Sequence, residues 1–143
     1  MTLEKFIVDL KDESRPLKHA ALVRLSSLTG EEFSDFRTEW ISFTETRRFQ
    51  IMEKLVDLVE DNIEVDCSIL FRMGLADTSD SVREYAVKGL WETDDRVIIR
   101  PLINMIKKDP SSKVRIATAT LLLKFSELKM EIKNFILLFT PLK

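Results

Sequence analysis

Turn residues are scarce in this chain: three Gly and four Pro in 143 residues are too few for the many tight turns of an all-β sandwich or barrel. Thiols and imidazoles are scarcer still. The lone Cys67 has no second thiol for an internal disulfide or a zinc site, which suits a reducing compartment, so a cytoplasmic location is expected. The single His19 rules out His-paired metal sites and leaves a histidine-activated nucleophile without marked partners. No catalytic residue, metal ligand or cofactor is therefore expected. A basic surplus is also missing, because 22 Lys and Arg stand against 24 Asp and Glu for a net charge of -2. A partner that must have many phosphates neutralised, such as a nucleic acid, is not expected.

Long hydrophobic runs are absent as well. The most apolar stretch, Phe135 to Phe139, falls far short of the ~20 residues that a membrane helix needs. Glu4, Lys5, Asp9, Lys11 and Asp12 break up the amino-terminal apolar residues, which argues against a signal-type segment. The glycines Gly30, Gly74 and Gly89 stand alone, so no phosphate-cradling loop is formed. Gly89 falls inside an expected helix, where Gly costs roughly 1 kcal/mol relative to Ala, and a close helix contact is the expected reason.

What is present points to one helical domain. With 45% hydrophobic and 32% charged residues, the chain is too apolar for disorder. The residues Asp77-Thr-Ser79-Asp-Ser-Val82-Arg83 match Asp109-Pro-Ser111-Ser-Lys-Val114-Arg115 at an offset of 32, sharing Asp-x-Ser-x-x-Val-Arg. Further back, Asp12-Glu-Ser14-Arg-Pro-Leu17-Lys18 keeps the Asp, the Ser and the apolar position. A degenerate copy with Thr46 at the Ser position and Phe49 at the Val position fills the gap, without the Asp and the Arg. Hydroxyls at 14, 46, 79 and 111 are then spaced by 32, 33 and 32, the period of stacked helical units.

Each hydroxyl is expected to cap the helix after it. Val82, Ala86 and Leu90, like Leu17, Ala21 and Leu25, then share one apolar face. Apolar segments ahead of the caps read as first helices. Thr29 with Glu32 and Ser42 with Glu45 fit capping boxes, Asp94 or Asp95 is placed to start the next helix, and Pro101 is expected to kink it. The expected architecture is all-α, with four helix pairs over 2–28, 31–61, 65–92 and 96–126. A half repeat follows over 128–140, where Ile132, Phe135, Ile136 and Phe139 make an apolar helix suited to self-association.

The residues Asp77, Val82, Arg83, Ala86 and Leu90, with Asp109, Val114, Arg115 and Leu122, resemble HEAT repeats of the short bacterial, phycobilisome-lyase-like kind. The resemblance implies an α-solenoid in which Asp and Arg of successive units pair in a ladder, here Asp77, Arg83, Asp109 and Arg115. It also implies that second helices line the concave side. The His-Glu dipeptides of HEAT-type deoxyhypusine hydroxylases do not occur here. Thr118 departs from the usual Ala of the pattern.

Turning 100° per residue from the Val82, Ala86, Leu90 face puts Glu84, Lys88 and Trp91 on the other side of their helix. The repeat offsets then place His19, Val23 and Ser26; Ile51, Leu55 and Leu58; and Ile116, Thr120 and Leu123 in the same rows. Glu84, Lys88, Trp91, Ile116 and Leu123 are the candidate partner-binding residues, with Trp91 as anchor. The function expected is non-enzymatic protein binding by a HEAT-type scaffold. The alternatives are an accessory or lyase-like subunit, acting as chaperone for a cofactor-bearing protein, and a piece of a longer repeat array.

Overall fold

The computed structural model describes residues 1–124, and every regular element among them is helical. The helices are α1 (Leu3–Lys11), α2 (His19–Leu25), α3 (Gly30–Trp40), α4 (Glu45–Asp61), α5 (Ser68–Gly74), α6 (Asp80–Gly89), α7 (Ile99–Lys108) and α8 (Ser112–Leu123), with a 3-10 turn at Arg96–Ile98 leading into α7. The helix expected over 128–140, and the self-association surface assigned to it, lie outside the described residues.

Local chemistry accounts for most of the boundaries. Thr29 and Glu32 form the expected capping box, each side chain accepting from the other's backbone N–H at 3.2 and 3.0 Å. Asp95 accepts from Val97 N–H at 3.0 Å and opens the 3-10 turn. Pro101 is the third residue of α7, so its missing N–H falls among those that have no intrahelical acceptor anyway. It therefore marks a helix start rather than the kink expected there.

Four caps differ from expectation. Helix α4 is capped by Thr44, whose hydroxyl accepts from Arg47 N–H at 3.2 Å, whereas Thr46 lies inside the first turn. Ser42 takes no part in a capping box; its hydroxyl donates to the Glu39 carbonyl at 2.6 Å. Ser14 caps nothing either, because its hydroxyl donates to Asp12 at 2.6 Å and α2 begins only at His19. Ser111 holds the cap position of α8 without a side-chain capping bond, while Ser79 accepts from Val82 N–H at 3.4 Å. The second helices are unequal in length, from 7 residues in α2 to 17 in α4.

The core is built where these helices meet. Helix α4 packs on α2 and α6, α6 on α8, α5 on α6, α7 on α8, and α1 on α3. Val82, Ala86 and Leu90 are all fully buried, as their four-residue spacing requires. Phe36, Trp40 and Phe43 form one aromatic cluster with ring centroids 5.5 to 5.9 Å apart, a spacing at which offset and edge-on rings attract. Thr118, fully buried on α8, satisfies its hydroxyl on the Val114 carbonyl at 2.7 Å, so the polar atom costs little.

Two glycines permit close approach. A Cβ on Gly89 would run into the Phe71 ring, and one on Gly74 would lie 2.8 Å from both Ala86 Cβ and the Met52 methyl. The helix-propensity cost of Gly89 thus has the expected packing reason, the aromatic ring of α5 lying against the end of α6.

Candidate functional site

Helices α6 and α8 lie side by side, and between them runs a groove of about 340 Å³. Its floor is apolar and closed, with Val87 and Leu121 buried. Its walls carry Glu84, Lys88 and Trp91 from the α6 side and Ile116 from α8. The structure therefore brings four of the five candidate binding residues together. Leu123 is exposed but does not line the groove.

Exposure within the groove is uneven in an informative way. Ile116 is 67% exposed and Trp91 46% exposed, which leaves two large apolar side chains in water on a concave surface. Charged groups around them are compensated locally. Lys88 lies 3.9 Å from Glu84, and Lys113 lies 3.7 Å from Asp80 while donating to Ser81 at 3.0 Å. The Lys124 ammonium sits 5.5 Å from the centre of the Trp91 ring, within cation–π range. An apolar centre ringed by satisfied polar groups is the anatomy of a protein contact surface.

The rows inferred for the earlier units do not continue this surface. Ile51, Leu55 and Leu58 are buried core residues of α4. Their misplacement follows from the cap: counted from Thr44 rather than Thr46, the residues equivalent to Glu84 and Lys88 are Phe49 and Glu53. His19 is exposed. Cys67 is buried, and burial first, then the Asp66 charge, push its thiol up to about 12, which removes it as a nucleophile at neutral pH.

Beside the groove lies the recurring Asp–Arg geometry. Arg83 donates from Nε and Nη2 to the two carboxylate oxygens of Asp109 at 2.8 and 3.1 Å, and from Nη1 to the Asp77 carbonyl at 2.9 Å. Arg115 repeats the last bond one unit later, donating to the Asp109 carbonyl at 2.6 Å. Each Asp also accepts from the N–H two residues on, Asp77 from Ser79 and Asp109 from Ser111, both at 2.9 Å. Burial alone would raise the Asp109 carboxyl, but the Arg83 and Ser111 hydrogen bonds and the nearby Arg83 and Arg115 charges outweigh it and hold the group below the usual carboxylate range.

The sequence pattern missed two residues of this system. Arg48 pairs with Asp77 as Arg83 pairs with Asp109, although the segment around Thr46 was expected to carry no such arginine. It lies 3.0 Å from Asp77, which also accepts from Trp40 Nε1 at 2.8 Å. Arg47 stands where Val82 and Val114 stand in the later units, and is buried all the same. It donates to the carbonyl of Leu10, left open in the last turn of α1, at 2.7 Å and to that of Arg15, in the segment that follows, at 3.0 Å. Desolvation lowers its pKa.

No protein-family model, curated protein or solved structure matches the chain. Among the described residues no helix is long and apolar enough to cross a membrane, and no group of three or more His, Cys, Asp or Glu is placed to hold a metal ion.

Proposed function

We propose that the chain is a non-enzymatic, protein-binding scaffold of HEAT type, and that a partner protein docks in the groove between α6 and α8. The repeat reading is supported by the same Asp, Ser and Arg contacts recurring 32 residues apart, and by the row of α2, α4, α6 and α8 in sequential contact. The observation that carries the functional reading is the half-exposed Trp91 on a groove with an apolar floor, opposite the exposed Ile116. Trp is enriched among residues that dominate binding energy, because one ring buries a large area at little entropic cost.

Photocrosslinking in cells tests this. A photoreactive amino acid at Ile116 should give a discrete protein adduct that Trp91→Ala removes, while the same group at the exposed Val8 of α1 should not give that adduct. An equal adduct at both positions would remove the groove from the account. A captured partner that carries a bound chromophore would turn the reading toward an accessory subunit of a cofactor-bearing protein.

A further inference from the structure

A second groove, of about 570 Å³, runs across the odd-numbered helices α3, α5 and α7. Ile69 stands half-exposed in it, and Met73 and Met105 lie partly buried beside the closed floor at Ile98. Its only charged lining residues are Arg37 and Arg72. Both are exposed, and neither has a hydrogen-bond or ion-pair partner among the described residues. This sets the groove apart from the α6–α8 one, where Lys88 and Lys113 each have a carboxylate within 4 Å.

Arg37 and Arg72 occupy the last turns of α3 and α5, where a cation meets the negative end of the helix dipole. With no partner among the described residues, both guanidinium forks are free, and a free fork over an apolar floor matches a carboxylate on an otherwise apolar surface. Methionines adapt their shape to an incoming side chain more readily than branched residues do. We propose that this groove binds a short, acidic, amphipathic helix of a partner protein. Its apolar side chains lie on Ile69, Met73 and Met105, and its Glu or Asp side chains meet Arg37 and Arg72, the helix-in-groove mode of recognition. This site is separate from the Trp91 groove and does not depend on it.

The test uses the full chain as bait for a displayed library of random 16-residue peptides. Enriched peptides should carry Glu or Asp beside apolar residues at i, i+3 and i+4. They should bind the Arg37→Glu/Arg72→Glu variant at least tenfold more weakly, and bind Trp91→Ala within twofold of the parent. With methyl-labelled methionine, the Met73 and Met105 signals should shift on binding while that of the fully buried Met52 stays in place. The proposal is overturned if nothing is enriched, if the enriched peptides show no acidic bias, or if Trp91→Ala abolishes their binding. It is equally overturned if sedimentation shows a self-association that the double charge reversal removes, since the occupant is then a second copy of the chain.

Discussion

Arg83 on α6 and Asp109 at the start of the α7–α8 turn meet through two parallel hydrogen bonds, 2.8 and 3.1 Å long, with both side chains largely buried. Removing the arginine leaves a buried carboxylate without its counter-charge. Arg83→Ala should therefore cost about 2–4 kcal/mol of stability, and Arg83→Lys should recover only part of it because an ammonium cannot reproduce the fork. Arg115 contacts the Asp109 backbone alone, so Arg115→Ala should cost about 0.5–1.5 kcal/mol. Urea denaturation of the three variants checks the order, and an Arg115→Ala loss as large as that of Arg83→Ala would contradict it.

Asp109 also sets an acid limit. Its carboxyl is held lower in the folded chain than in the unfolded one, so the unfolded chain binds the proton more tightly. The stabilisation is fully present above the unfolded value near ~3.9 and is lost as pH falls through the folded value. Denaturation midpoints should drop below about pH 4, and the drop should be shallower in Asp109→Asn. Equal acid slopes for parent and variant would show that Asp109 does not contribute.

Gly89→Ala raises helix propensity yet should destabilise. The added methyl collides with the Phe71 ring, whose burial prevents it from swinging away, and such overpacking costs about 1–3 kcal/mol. Phe71→Leu should reduce the penalty of Gly89→Ala in a double-mutant cycle. Additive effects would mean that the two residues do not touch.

Cys67 should react with a thiol reagent only when the chain opens. It is buried, and its thiol stays protonated up to about pH 12, so labelling at pH 8 should be slow in buffer and fast in denaturant. Prompt labelling of the native chain would place Cys67 at the surface.

Periodicity made the helices legible, and so the all-helical class followed directly, as did the Thr29–Glu32 capping box that opens α3. The pairing of Arg83 with Asp109 was expected only from the resemblance to HEAT repeats; the repeat itself showed no more than that the Asp and the Arg recur at fixed positions. The second unit was misread because Arg47 occupies a position that is Val in the later units, and its charge hid the apolar pattern that would have fixed Thr44 as the cap. Nothing local in the sequence shows that the Leu10 and Arg15 carbonyls, 37 and 32 residues back, receive the Arg47 guanidinium alongside Gln50. The α6–α8 groove was readable as a helix face, whereas the α3–α5–α7 groove joins short helical faces, Phe33 and Arg37, Ile69 and Met73, Pro101 and Met105, whose meeting is set by packing between units and not by any one helix.

Trp91 as the partner anchor is tested most directly by the affinity of the partner captured at Ile116 for the parent chain and for Trp91→Ala. A residue that dominates an interface contributes about 2 kcal/mol or more, which is roughly a 30-fold change in Kd. At least that loss is expected for Trp91→Ala, and no change for Ile41→Ala, an exposed apolar residue outside the groove. A Kd within twofold of the parent for Trp91→Ala, with the fold intact by circular dichroism, would contradict it.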